Sequence, residues 1–178
     1  MRNFPSTTDA TSSWGCVPTS LVGLGLLLGL LLWLTSCNEK PFYEQTVPIR
    51  KGQWDYADTV RFSFSIVDTS QRYNLYLNVE HADTFPYQNI YVQIHTVYPD
   101  GKHLMKLLPL DLFDASGQPN GTCRGRTCAT DFVLQKQAVF PQVGQYTVAV
   151  EQYLRFNPVP GIRALRLTIE PAEKPLGG

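Results

Sequence analysis

Cys37 is the side chain in this sequence best placed to do chemistry, because of what precedes it. Leu34-Thr35-Ser36-Cys37 sets a leucine three residues before a cysteine, with two small residues between. Ahead of it, Leu21 to Leu34 (LVGLGLLLGLLLWL) runs for fourteen uncharged residues. That order is a secretory signal sequence ending in a lipobox. Small residues let a peptidase approach the backbone, and the Cys37 thiol takes a diacylglycerol group. The run is shorter than the roughly 20 apolar residues that a membrane-spanning helix needs. It also lacks the polar face of an amphipathic core helix. The expected organisation is a signal sequence over 1–36, a lipidated tether over 37–48, a folded domain over 49–172 and a short tail over 173–178. The twenty residues before the apolar run carry only Arg2 as positive charge, with Asp9 to cancel it. A short, basic n-region is the norm, which points to a start downstream of Met1. Cys16 lies in that stretch and carries no assigned role.

Cleavage before Cys37 removes 36 of the 178 residues and leaves 142, enough for one domain with a real core. It also removes one charge of each sign from a chain with 15 basic and 15 acidic residues, so the mature protein stays neutral. A neutral chain without a basic tract gives no footing for nucleic acid. Export leads to a compartment where disulfides persist. With Cys37 acylated, Cys123 and Cys128 form the remaining pair in GTCRGRTCAT, and Gly125 supplies the bend between them. A local disulfide is expected there, stiffening a loop more than stabilising the fold. The competing reading is a metal site, which fails on ligand number, because structural zinc wants four.

No other constellation supports catalysis. His81, His95 and His103 supply the imidazoles, and His95 and His103 flank the Pro99-Asp100-Gly101 turn without a third ligand at fixed spacing. Asp111 and Asp114 form a nominal carboxylate pair, but beside a loop they suit turn capping or solvent. The sequence holds no Gly-x-Ser-x-Gly elbow, His-Glu-x-x-His motif or glycine-rich phosphate loop. The expectation is a non-enzymatic protein without a cofactor or metal.

The elements that would position any site read as strands. Val60, Phe62, Phe64 and Ile66 alternate with polar residues. So do Tyr73 to Val79, Ile90 to Ile94, Tyr146 to Val150 and Leu165 to Ile169. This period of two marks half-buried strands. Turn residues separate them at Asp68-Thr69-Ser70, Pro99-Asp100-Gly101, Ser116-Gly117, Asn120-Gly121, Val143-Gly144 and Pro160-Gly161. Asn38 to Pro48 lacks periodicity and reads as the tether. The fold expected is all-β, an antiparallel β-sandwich of about seven or eight strands and immunoglobulin-like size. The Leu110 to Thr130 segment is long for a hairpin loop and is the expected working surface. Trp54, Tyr56, Phe85, Tyr87, Tyr91, Tyr98 and Tyr153 include several that fall in loops or on outward registers. They read either as tolerated sheet tyrosines or as a binding surface.

Taken together, these segments resemble the GldH gliding-motility lipoprotein family of Bacteroidetes. The likeness begins with Tyr43-Glu44-Gln45, Trp54, Phe62-x-Phe64-x-Ile66-x-Asp68 and Tyr73. It continues through Phe85-Pro86-Tyr87-x-Asn89, Pro99-x-Gly101, Leu112-x-Asp114-x-x-Gly117 and Gly121. It ends with Phe140, Gly144-x-Tyr146, Glu151-Gln152, Arg155 and Gly161-Ile162. Glu80-His81 stand where an arginine is expected, and Leu154 where a methionine is expected. The Cys123 and Cys128 pair is a local elaboration. The resemblance implies a membrane-anchored, non-enzymatic component or assembly factor of the gliding machinery coupled to type IX secretion. It would sit in the cell envelope, most simply at the outer membrane, with other envelope proteins as partners. A lipid-anchored carbohydrate- or ligand-binding module is the alternative, with exposed aromatics such as Trp54 as its platform.

Overall fold

A computed structural model describes residues 40–173. The signal sequence and Cys37 lie outside the described residues. Eleven strands follow in order: β1 (Tyr43–Pro48), β2 (Gln53–Trp54), β3 (Val60–Ile66), β4 (Arg72–Ala82), β5 (Asn89–Val97), β6 (His103–Asp111), β7 (Thr122–Arg124), β8 (Thr127–Val139), β9 (Gly144–Gln152), β10 (Val159–Pro160) and β11 (Ile162–Pro171). Eight of them have six or more residues. One sheet runs β1-β11-β4-β8-β7, a second runs β3-β9-β5-β6, and β10 pairs with β2 in a short ribbon. Every pairing is antiparallel. The chain is an all-β sandwich, as the alternation predicts.

The period-two residues make the core. Phe62, Phe64 and Ile66 from β3 meet Leu75, Leu77 and Val79 from β4, Ile90 and Val92 from β5, and Leu165, Leu167 and Ile169 from β11. Each fully buried side chain of this size contributes about 1.5–3 kcal/mol. Two ends are distinct. At one, called here the near end, Tyr43 opens β1 and the turns 67–71, 98–102 and 140–143 close the strands. The aromatic rings of Phe64, Tyr73, Phe140 and Tyr146 plug this end, with neighbouring centroids 4.8–6.0 Å apart. Burial raises the Tyr73 and Tyr146 phenols above their ordinary range. The opposite, far end carries the loops 49–59, 83–88, 112–121 and 153–161.

Three expectations change. The tether over 37–48 is too long, because Tyr43–Pro48 pair along β11 from Ile169 to Ala164. β1 is an edge strand whose Tyr43 and Val47 alone pack on the core, so its sequence hardly alternates. β6 and β8, which the alternation did not mark, complete the sheets. β6 (HLMKLLPLD) is apolar on both registers, and β8 has a bulge. At that bulge Gln137 takes a positive φ of 53°, and its N–H donates to Asn74 Oδ1 at 3.0 Å. Finally, the Leu110 to Thr130 segment is not one loop. It comprises the end of β6, a loop over 112–121, and the β7–β8 hairpin turning on Gly125 at φ +59°.

Candidate docking surface

The far-end loops are fixed by polar side chains that bond to backbone. Asn157 is the hub. Its Oδ1 accepts the Tyr56 N–H at 2.8 Å and the Gln152 amide at 3.2 Å, and its Nδ2 donates to Asp55 at 3.1 Å. Gln152, buried, accepts the Leu154 N–H at 2.9 Å. The Tyr56 hydroxyl donates to the Leu154 carbonyl. These bonds hold 55–57 and 153–157 as the two walls of one cleft of 560 Å³, lined by Tyr56, Gln93, Glu151, Tyr153, Leu154 and Arg155. At its floor Glu151 accepts the Thr59 hydroxyl at 2.9 Å and lies 3.5 Å from His95 Nε2.

A second cleft, of 350 Å³, opens beside it between two further loops. Phe85, Pro86, Tyr87 and Gln88 form one side, and Phe113, Asp114 and Gly117 the other. The N–H groups of Leu112 and Phe113 both donate to the Gln88 carbonyl, at 2.9 and 3.0 Å. Tyr87 stacks on Phe156 at 4.4 Å, which joins this cleft to the first. Asp114 is occupied as a turn cap. Its Oδ1 accepts the Ser116 hydroxyl and the N–H groups of Ser116 and Gln118, which hold its carboxyl below the usual range.

The outer face of the four-stranded sheet continues the surface. Register places Tyr91, Gln93 and His95 of β5 opposite Pro109, Leu107 and Met105 of β6. Tyr91, Leu107 and Met105 are exposed, and Tyr153 N–H donates to the Tyr91 carbonyl at 2.8 Å. The β6 edge itself is guarded against strand addition. Pro109 removes a donor, and Lys106 lies at the mouth of a slot between the sheets with Leu104, Leu108 and Leu134. The sheet face and the loops are thus open on this side, while the strand edge is blunted.

The residues singled out in the sequence divide accordingly. Tyr56, Tyr87, Tyr91 and Tyr153 are exposed on this surface, Phe85 is buried where it lines the second cleft, and Trp54 and Tyr98 lie elsewhere. Trp54 is a correction: it is fully buried, with its indole N–H donating to the Asp58 carbonyl at 2.8 Å. It offers no platform to a ligand. His81 is buried among Phe85 and Phe113, with Nδ1 2.9 Å from the Ala82 carbonyl and Nε2 3.4 Å from the Thr130 hydroxyl. Burial lowers its pKa below the ordinary 6.5, and Arg163 adds to that. His103 starts β6 in solvent, two residues out of register from Met105, the partner of His95. Asp111 closes β6 and is exposed, and its carbonyl accepts from Asn120 at 2.9 Å. Cys123 and Cys128 face each other across β7 and β8 with their sulfurs joined, and Cys128 is buried. Among the described residues no cluster of three or more His, Cys, Asp or Glu could hold a metal. The Asn157 hub was missed, since a single asparagine in a loop has no sequence signature.

The fold is an antiparallel β-sandwich whose longer loops gather exposed tyrosines at one end. The chain belongs to the GldH lipoprotein family, whose sequence profile matches residues 41–169. A gliding motility lipoprotein GldH homolog from Christiangramia forsetii is 24% identical over 136 residues, spanning 76% of this chain and 83% of the relative. The gliding motility lipoprotein GldH of Flavobacterium johnsoniae is 26% identical over 145 residues, spanning 79% and 87%. Membership makes this an envelope lipoprotein, held at a membrane. Among the described residues no helix is long and apolar enough to cross one. Solved structures are only distantly similar. The VP2 subviral particle of infectious bursal disease virus aligns with a TM-score of 0.36 at 10% identity, covering 93% of this chain and 40% of that one. Eiger TNF from S. frugiperda aligns with a TM-score of 0.30 at 10% identity, covering 78% and 99%.

Proposed function

We propose that this protein is a non-enzymatic component or assembly factor of the gliding machinery coupled to type IX secretion. Cys37 carries the acyl anchor, at the outer membrane, and the far-end surface docks other envelope proteins. The observation that carries this reading is the concentration of Tyr56, Tyr87, Tyr91 and Tyr153, all exposed, on one surface with Arg155, Met105 and Leu107. Tyrosine, methionine and arginine are the residue types enriched where proteins meet. The Cys123–Cys128 bond serves the same surface by stiffening the hairpin behind the 112–121 loop. Acyl chains bury about 0.8 kcal/mol per methylene, so two or more hold a protein firmly while one does not. A triacylated domain would be a fixed part acting by contact.

The test is a deletion strain complemented with wild type or Cys37→Ala, read by export of type IX cargo with colony spreading scored alongside. Loss in the deletion, restored by the acylated form alone, is expected. Normal export and spreading in the deletion would refute the reading. The 560 Å³ cleft between Tyr56 and Tyr153 favours a second reading, a carbohydrate- or ligand-binding module. It predicts saturable glycan binding that is lost in Tyr153→Ala. A flat titration across a broad panel would dispose of it.

A further inference from the structure

We propose that the near end of the sandwich rests on the bilayer that holds the acyl chains of Cys37, so that the loops carrying the tyrosines point away from the membrane. The inference rests on the lipid-anchored reading above and adds an orientation and a second membrane contact to it.

Two independent observations meet at this end. The first is where the chain enters. β1 begins at Tyr43, beside Ile169 and the end of β11, and it runs from there toward the far end. Six peptide steps, with five residues between, separate Cys37 from Tyr43. Fully extended they reach at most about 20 Å. The covalent limit on the anchor is thus set from Tyr43, which opens β1 at the end of the turns 67–71, 98–102 and 140–143, whereas the far-end loops lie a strand length from Tyr43.

The second observation is what those turns expose. Val67 is 78% exposed and Val143 61%, and both sit at turns joining the two sheets. Val139 closes β8 at the same end, and Phe42 lies just before β1, half-covered by Tyr73 with ring centroids 4.9 Å apart. These are aliphatic and phenyl groups without a polar handle. The exposed tyrosines Tyr56, Tyr87, Tyr91 and Tyr153 all lie toward the other end, at far-end loops or the far-end half of β5. One exposed valine means little, but Val67, Val139, Val143 and Phe42 gathered at one end make an apolar patch of the kind that the acyl interior of a bilayer accepts. The neighbouring charges are of both signs, Arg72 and Lys102 against Asp68 and Asp100. The contact would therefore be apolar and insensitive to salt.

The experiment uses the full-length acylated protein in vesicles of phosphatidylethanolamine and phosphatidylglycerol. A diazirine amino acid replaces Val67, Val143, Ala115 or Tyr153 in separate preparations, all exposed sites where the fold is not at stake. After illumination, lipid adducts are counted by mass spectrometry, and the acyl mass on Cys37 is read in the same sample. The expected result is about tenfold more lipid adduct at 67 and 143 than at 115 and 153, unchanged by added salt. Equal adduct at both ends, or adducts of 67 and 143 with protein alone, on a chain whose Cys37 is acylated, would overturn the orientation. A chain found in the vesicles without acyl mass would overturn the lipid-anchored reading first, and the orientation with it.

Discussion

At the end where Tyr43 enters β1, the strands are joined by short turns whose exposed apolar residues are Val67 and Val143. At the other end the connections are longer, cross-tied by Asn157 and the Gln88 carbonyl, and their exposed apolar residues are tyrosines. The turns of the near end are closed by their own side chains. Asp68 Oδ1 accepts the Ser70 N–H at 2.8 Å, and Asp100 Oδ1 accepts the Lys102 N–H at 2.9 Å. Between these turns one bond is added, the Gln142 amide donating to Asp100 Oδ2 at 2.9 Å. The far-end loops hold one another, so their shape depends on contacts between distant segments. Tyrosine offers an apolar body with a polar tip and suits a wet protein interface. Bare valine suits lipid. The two ends thus differ in chemistry and in how their order is maintained.

That difference can be broken most severely at Gly121. A methyl group there would lie 2.0 Å from the Ala129 carbonyl oxygen and 2.6 Å from Thr130 Oγ1. Gly121→Ala should destabilise the domain by about 3 kcal/mol, mainly by lifting the 112–121 loop off β8. Denaturant unfolding measures the loss, and an unchanged midpoint would mean that the loop is not seated as described. A smaller effect is expected from replacing both cysteines. Cys123→Ser with Cys128→Ser should cost at most about 2 kcal/mol, because the ring is short. Hydrogen exchange should quicken over 112–124 and stay unchanged over 98–102. Uniform quickening at both ends would erase the distinction drawn here.

The mildest probe is acid. His81 is buried neutral at the far end with its pKa below 6.5, so the unfolded chain takes up a proton before the folded one does. Stability from this residue is complete above about pH 6.5 and falls as pH drops through that value toward the folded pKa. Asp100 at the near end has its carboxyl lowered, chiefly by the Lys102 N–H. Its contribution holds above its ordinary 3.8 and is lost only as pH falls through its lower folded value. Protection factors around Phe85 and Phe113 should therefore fall as pH drops below the ordinary 6.5, while those of the 98–102 turn hold. His81→Gln should remove the far-end response, and its persistence in that variant would assign the effect elsewhere.

The sandwich was legible in the sequence wherever a strand has one face buried and one wet. Val60 to Ile66 shows this best, with burial alternating at every residue. Legibility failed where that condition fails. β1 lies at an edge and buries little, so YEQTVP read as a tether. β6 shows apolar residues on both registers because Met105 and Leu107 face outward, on the surface assigned to docking. The candidate surface was legible in its tyrosines and in the Glu151-Gln152 and Arg155 run, and hidden in its geometry. Trp54 and Tyr56 are two residues apart, yet one is buried in the core and the other walls a cleft. Tyr56 is held in place by Asn157 and the Leu154 carbonyl, some hundred residues away. Tertiary bonds between loops leave no periodic trace for a sequence reading to find.

The central claim is that the far-end tyrosine surface does the work and the near end only holds the protein in place. It is tested most directly by complementing the deletion strain with Tyr56→Ser/Tyr153→Ser/Arg155→Ala, three exposed positions whose loss leaves the core intact. Export of type IX cargo is the readout, with membrane-bound protein quantified in the same cells. The account predicts normal amounts of anchored protein with export lost. Full export from that variant at normal levels would contradict it.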